Sequence, residues 1–469
     1  MNIARYVGNK VCMDDNYAVA LQSADAIIDP ISDNRNVTIE FTCDERPLEV
    51  KFRASQRDLV ELAAAVFVGD EIVTRKDGHD GWSREFNYII PVKEPEKWIF
   101  GDSDLCNTLE FLAGDYFTFS WYQRKAMKAG RKHRVKFPKG FDTVCLFSGG
   151  IDSLLGAYSL LKEGRKVLLV GHQAEGVTAK AQKDLVKELL SIFPGAASLI
   201  QCRVARAKTD QPSFVLPSKV EDTHRPRSFL FLSLAIAVAN TMGIREIFLP
   251  ENGLIALNPP LTKSRLGSHS TRTAHPIYLV KMLNFLKKSD LYDGSIRNPF
   301  LYLSKTDMLR ALDPKMITAV LRSVSCSRPF RYQDRGVRHC GYCVPCMYRR
   351  AAMMVCGLDR PTDYAYDFTV ALPKMTTNIQ ADVRAVTSFA QKVRNASNVE
   401  LELLILSHGY FSPDIGGQIG PKAVTSFVDW ADMLRRWASD FLTEVEPRCS
   451  EEVKQMLALT HTVAPSQVI

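Results

Sequence analysis

Six consecutive residues, Ser148-Gly149-Gly150-Ile151-Asp152-Ser153, combine two hydroxyls, a carboxylate and a pair of glycines. The apolar run Val144–Phe147 before them, which includes Leu146, reads as a buried strand, and Leu154–Leu161 after them has helical periodicity. A strand, a glycine turn and a helix start aim unpaired backbone N–H groups and the positive helix end at one point, which suits an anion. The glycines let a ligand approach the backbone with no Cβ in the way. Ser148 and Ser153 add hydroxyl donors, so phosphate is the expected guest. Asp152 and Ser153 stand at the helix start, where they can hold phosphate or Mg2+. Together with Ser148 they are the candidate catalytic residues. No Gly-Lys-Ser/Thr follows, so this is not the Walker pattern. The bland alternative is an ordinary strand-to-helix turn of the same composition.

A second cluster is Cys326-x13-Cys340-Gly-Tyr-Cys343-Val-Pro-Cys346. Four thiolates at this spacing suit a structural, tetrahedral Zn2+. A redox Cys-x-x-Cys fits less well because three cysteines share the motif. An iron–sulfur cluster lacks the ferredoxin-type fourth cysteine three residues on, followed by proline. Cys356 falls on a helix with Ala351, Ala352 and Val355 and reads as core.

Other candidates follow from where strands end. Lys166–Gly171 is a second buried strand about 20 residues after the first with a helix between, which makes a βαβ unit. Open α/β sheets bind ligands at the carboxyl ends of their strands. Gly171 and His172 lie at such an end, with His172 either a ligand neighbour or simply satisfied at a strand tip. Ala179–Ile192 reads as a helix and Ser198–Val204 as a third strand. Arg225 and Arg227 precede an apolar helix starting at Phe229. There they either favour a phosphate or face water as a basic helix entry. Glu246–Pro250 is a fourth strand, with Glu251 and Asn252 at its end as candidate substrate contacts. The long polar segment from Leu257 to Pro276 suggests a functional loop or lid. It contains His269 and His275, either of which could take a proton or be a plain loop histidine.

These sites need a frame. At 469 residues the chain exceeds one typical domain, and 46% hydrophobic with 24% charged residues describes ordinary globular composition. No apolar run is long enough to span a bilayer, and the amino-terminal residues lack an apolar signal core, so the cytoplasm is expected. Eleven cysteines, four of them clustered, then argue for metal rather than disulfides. A net charge of +8 permits a nucleic-acid or nucleotide partner without demanding one. Residues 1–123 read as an α+β domain. Its expected elements are strands Val37–Thr42 and Leu48–Phe52 about an Asp44–Pro47 turn, a helix over Leu59–Val68, and strands Phe86–Val92 and Phe117–Trp121. Between Arg124 and Lys136, seven of thirteen residues are Lys or Arg, which suggests a basic linker over 124–140 or a basic rim that attracts ATP or an acidic partner. Residues 141–360 hold the motifs. Residues 361–469 read as helical: Ile379–Val393, Val399–Ser407, Ala423–Leu442 and Ser450–Leu459.

The Ser-Gly-Gly-x-Asp-Ser loop resembles the pyrophosphate loop of the PP-loop ATP-pyrophosphatases. Together with Cys-x13-Cys-Gly-x-Cys-x2-Cys-x2-Arg-Arg it resembles the 7-cyano-7-deazaguanine synthase (QueC-like) family, over Phe141 to Leu358. The added segments are more similar to the QueC-like proteins of bacterial Qat anti-phage systems. The resemblance implies a PP-loop α/β core with a zinc knuckle, using ATP, Mg2+ and structural Zn2+. It implies that the enzyme adenylates a 7-carboxy-7-deazaguanine-type carboxylate, releases pyrophosphate and passes the acyl group to an amine. In defence relatives that amine is thought to belong to a co-encoded partner protein, whereas in biosynthesis it is ammonia and a nitrile results. Leu146, Ser148, Gly149, Gly150, Ile151, Asp152, Ser153, Gly171, His172, Arg225 and Arg227 would then hold ATP. Glu251, Asn252, His269 and His275 would face the deazapurine, and Cys326, Cys340, Cys343 and Cys346 would bind the metal. A tRNA-thiolating PP-loop enzyme needs a sulfur-relaying cysteine near the loop, and Cys145 inside the strand is poorly placed for that. A nucleotide-sensing binding module is the non-enzymatic alternative, against which the intact Ser148, Asp152 and Ser153 argue.

Overall fold

The apolar run ahead of the glycine turn is a strand at the centre of the larger of two sheets. The computed structural model describes residues 1–5, 15–48, 52–78, 80–124, 137–173, 176–207, 212, 214–218, 220–221, 225–259, 261, 272–409, 415–421 and 427–459. In chain order the strands are β1 (Asn2–Arg5), β2 (Ala26–Ile28), β3 (Val37–Cys43), β4 (Arg46–Pro47), β5 (Glu85–Val92) and β6 (Tyr116–Gln123). After them come β7 (Thr143–Leu146), β8 (Val167–His172), β9 (Ala197–Arg206), β10 (Glu246–Phe248) and β11 (Ser295–Arg297). The larger sheet runs β11-β10-β7-β8-β9-β3-β4, and the smaller runs β2-β1-β5-β6 with all pairs parallel.

From β11 to β9 the larger sheet is parallel, with Val144 opposite Leu168 on one side and Ile247 on the other. The chain leaves β7 for β8 and β9 on one flank, then returns to lay β10 and β11 on the other. The carboxyl ends of β7 and β10 are therefore the topological switch point, where such sheets bind ligands. Val167–Val170 and Val144–Cys145 are buried, as expected of strands covered on both faces.

The amino-terminal segment is built into this sheet. β3 pairs antiparallel with β9 from Val37↔Arg206 to Cys43↔Ile200. The expected hairpin is present, but its turn is the two residues Asp44 and Glu45 and not the whole of Asp44–Pro47. Asp44 and Glu45 both have positive φ, 45° and 69°, which is the geometry of a two-residue primed turn, so β4 starts at Arg46. The helix expected over Leu59–Val68 extends over Ala54–Ile72 and packs on the helix Arg227–Met242. A helix not expected from the sequence, Pro95–Ala113, fills the crossover between β5 and β6 and packs on the helix Pro276–Lys288. At the start of the basic stretch, Arg124 is buried and bonded to Asp58. Residues 125–136 lie outside the described residues.

The carboxyl-terminal part is helical, as expected, with helices at Thr377–Asn395, Asn398–Leu406, Phe427–Val445 and Glu451–Met456. Trp430, Met433, Leu434, Trp437, Phe441, Leu442 and Val445 form one buried stripe at three- and four-residue spacing. That stripe lies against the helices Val344–Val355 and Thr377–Asn395. Among the described residues no helix is long and apolar enough to cross a membrane.

Candidate active site

β7 ends at Leu146, and the Phe147 N–H continues the ladder to the Val170 carbonyl at 2.8 Å. The chain then turns at Gly149, whose φ of +85° is strained for any residue with a Cβ. Gly150 caps the helix Ile151–Lys162. Ile151 is fully buried and anchors the loop from beneath. From outside, the Val324 N–H donates to the Gly149 carbonyl at 2.8 Å. The two serines face each other: Ser153 Oγ donates to the Gly150 carbonyl at 3.1 Å and lies 3.2 Å from Ser148 Oγ. The loop thus brings two hydroxyls and the open N–H groups of a helix start together at the switch point.

Asp152 is the hub of the charges beside this loop. It is buried and accepts from Asn252 through the backbone N–H at 3.2 Å and Nδ2 at 2.6 Å. Lys305 Nζ, buried likewise, completes its coordination as an ion pair. Both carboxylate oxygens are therefore engaged, and the fixed cation at the position expected for Mg2+ is Lys305. Asn252 spends its own side-chain oxygen capping the short helix Gly253–Leu257. Lys305 opens the helix Lys305–Arg310, which is held by a Ser304–Asp307 capping box. That box is legible in Ser304-Lys305-Thr306-Asp307, but nothing local says that Lys305 turns inward to the loop. It is the site residue that sequence reasoning missed.

Glu251, next to Asn252, is half-buried beside Asp152. Burial first, and the neighbouring Asp152 carboxylate second, push its pKa from 4.5 up to about 8. Its folded-state pKa thus lies above the unfolded value, so the protonated form is the one that folding favours. Its contribution to stability is complete below pH 4.5 and is lost as pH rises toward 8. The unfolding midpoint should therefore fall between pH 5 and about 8, and Glu251→Gln should flatten that fall. Denaturant titrations across that range would refute the assignment if both proteins follow the same pH curve.

The remaining candidates divide. A Cβ on Gly171 would sit 2.8 Å from both the Phe147 carbonyl and Gln182 Oε1, so this strand end touches the loop strand directly. His172 is buried between Phe67, with centroids 5.7 Å apart, and Phe231, at 5.0 Å. Phe67 comes from the amino-terminal helix. Arg227 lies over Phe231 at 5.5 Å on the same flank. Arg225 corrects an expectation. It is buried against the amino-terminal segment, donating to the Ala113 carbonyl at 3.0 Å and lying over Trp82 at 4.4 Å, so it ties two parts of the chain together instead of meeting a phosphate. His275 corrects another. Its Nδ1 accepts from the Ile277 N–H at 3.3 Å as a helix cap, and its Nε2 donates to the His408 carbonyl at 3.1 Å. Burial first, and the nearby Arg272 cation second, push its pKa down to about 3, and with both ring nitrogens already bonded it is no proton acceptor. His269 lies outside the described residues.

The four cysteines converge, with all Sγ atoms within 4.8 Å of one another. Cys340 and Cys346 Sγ are 3.8 Å apart, about the edge of a tetrahedron with Zn–S bonds of roughly 2.3 Å. The Cys343 N–H donates to Cys340 Sγ at 3.3 Å and the Arg328 N–H to Cys326 Sγ at 3.4 Å, contacts that favour thiolates. The donor set fits Zn2+. Among the described residues it is the only group of three or more His, Cys, Asp or Glu side chains so gathered. The two arginines after it are structural. Arg349 donates to Ser323 Oγ at 2.8 Å and the Val320 carbonyl at 3.0 Å, and Arg350 pairs with Asp367 at 2.6 Å.

Fold and site together define a mixed α/β protein with a glycine loop at the switch point of a largely parallel sheet. No protein-family model matches the chain. It is similar to curated enzymes named 7-cyano-7-deazaguanine synthase. That of Syntrophobacter fumaroxidans is 28% identical over 258 residues, covering 51% of this chain and 100% of the relative. That of Anaeromyxobacter dehalogenans is 28% identical over 247 residues, 47% of this chain and 95% of the relative. The Methanothrix thermoacetophila enzyme is 24% identical over 240 residues, 48% and 98% respectively. The likeness therefore spans whole relatives but about half of this chain.

Proposed function

We propose that this chain is an ATP-dependent enzyme that adenylates the carboxylate of a 7-deazaguanine-type acid, releases pyrophosphate and passes the acyl group to an amine. One observation carries the reading: the Ser148–Ser153 loop and the buried Asp152–Lys305 pair meet at the switch point of the sheet. The similarity to 7-cyano-7-deazaguanine synthases supports the choice of substrate class. A carboxylate is a poor electrophile. Its oxygen bonds to the α-phosphorus of ATP as the bond to pyrophosphate breaks, and the acyl carbon gains AMP as a leaving group. The amine nitrogen then bonds to that carbon, AMP departs, and the nitrogen gives up a proton.

In this scheme the N–H groups at the start of the helix Ile151–Lys162, with Ser148 and Ser153, bind the phosphate chain. Lys305 stabilises negative charge growing on departing pyrophosphate, and its ion pair with Asp152 holds it in place. Protonated Glu251 places an uncharged donor where a carboxylate would repel both phosphate and acid. A bound Mg2+ would supply further charge neutralisation of the triphosphate. Zinc on the four cysteines would be structural.

We propose a protein amine as the acceptor, because roughly half of the chain lies outside the region shared with the synthases. Ammonia is the second reading, favoured by the nitrile product in those enzymes' name. The test is to incubate the full chain with ATP and the deazaguanine acid and to measure AMP and pyrophosphate. Formation of neither would remove the enzyme reading. Rapid nitrile formation with ammonium, with no co-encoded protein gaining the mass of the base, would decide for ammonia.

A further inference from the structure

The segment that joins the helix Ile317–Arg322 to the first cysteine of the metal cluster runs along the glycine loop. Four hydrogen bonds fix it there. The Val324 N–H donates to the Gly149 carbonyl at 2.8 Å, and the Ser325 N–H donates to His339 Nε2 at 3.4 Å. Just before them, Arg349 grips Ser323 Oγ and, one turn back, the Val320 carbonyl. Cys326 follows directly and is tied to Cys340, Cys343 and Cys346. Between these anchors the Ser325 side chain faces the loop, with its Oγ 3.7 Å from where a Cβ on Gly150 would lie. That hydroxyl is buried and has no hydrogen-bond partner in the protein. A buried hydroxyl without a partner costs stability. Here it stands beside the one glycine pair whose missing side chains leave room for a ligand.

We propose that Ser325 is a further ligand of the phosphate chain bound by the Ser148–Ser153 loop, delivered from the opposite side by the cysteine knuckle. The inference rests on the nucleotide reading above and adds to it a residue outside the loop motif. Its hydroxyl donates to a phosphate oxygen, which supplies the partner it lacks in the protein. The knuckle then has a role beyond holding its own fold: it sets the position of one phosphate ligand through a rigid backbone.

A purely structural serine and a ligand-binding serine predict opposite results for Ser325→Ala. Removing an unpartnered hydroxyl should leave the unfolding midpoint unchanged or raise it, and should leave zinc content unchanged. Affinity for inorganic pyrophosphate and for ATP, measured by titration calorimetry on the full chain, should fall by about ten- to a hundredfold, the loss of one hydrogen bond to a charged group. Equal affinity of the alanine variant and the unsubstituted protein would overturn the proposal and leave the nucleotide reading intact. So would a lower midpoint or lost zinc, which would make Ser325 a support of the knuckle. If the unsubstituted protein binds neither ATP nor pyrophosphate, the nucleotide reading fails and this inference with it.

Discussion

Asp152→Ala is expected to lose pyrophosphate release by about a hundred- to a thousandfold and, separately, to destabilise the fold by about 3–5 kcal/mol. The second effect follows from burial. Asp152 and Lys305 are both almost wholly enclosed, and deleting the carboxylate leaves a buried ammonium without its ion-pair partner. Two donors from Asn252 lose their acceptor as well. The double variant Asp152→Asn with Lys305→Met separates the two effects. It replaces the pair with uncharged groups of similar size, so urea unfolding should return close to the unsubstituted value, because a buried ion pair is often no more stable than its neutral replacement. Pyrophosphate release should stay lost, since the cation beside the loop is gone. A double variant that recovers turnover with stability would show that the pair is architecture and not chemistry.

Cys343→Ser should be at least as severe. Structural zinc sites contribute about 10–16 kcal/mol of binding free energy, against a total stability of about 5–15 kcal/mol for a typical domain. Metal analysis should fall from about one zinc per chain to near none, with most of the protein insoluble. Graded removal by a chelator tests the coupling to the loop. Cys326 lies two residues from the Val324 N–H that holds Gly149, so pyrophosphate binding should fail at zinc losses too small to unfold the sheet. Iron in place of zinc, or full pyrophosphate affinity after complete stripping, would contradict this account.

Much of the site was legible because its signals are local. Ser148–Ser153 declares itself by glycines between an apolar strand and a periodic helix, and the cysteines by spacing alone. Asn252 and Glu251 were placed by a strand end. What could not be read were partners distant in sequence. Lys305 reaches Asp152 across 153 positions, and Arg225 meets Ala113 across 112. Before folding, a buried arginine on a carbonyl and an arginine on a phosphate carry the same sequence signature, a cation ahead of an apolar helix. His275 misled for a similar reason, since a capping imidazole is as polar as a catalytic one. The helix Pro95–Ala113 was missed although Pro95 and Gly114 bracket it. Val37–Thr42 and Ser198–Val204 were each recognisable as strands, but their pairing was not, because alternation reports a half-buried face and says nothing about which edge supplies the hydrogen bonds.

That pairing bears on how the protein is made. Thr38 and Ala205 are 167 positions apart, so during synthesis at about 5–20 residues per second β3 waits roughly 10–30 s for its partner to leave the ribosome. For that interval the edge of this seven-residue strand that faces away from β4 stands with its backbone donors and acceptors unpaired. Its outward residues, Thr38, Glu40 and Thr42, give it a polar, charged face that discourages pairing with a neighbouring nascent chain. The β9-β3-β4 edge of the sheet therefore forms late, after the ribosome has delivered β9, and a stall before Ala197 would release a chain with its first long strand still lacking that neighbour.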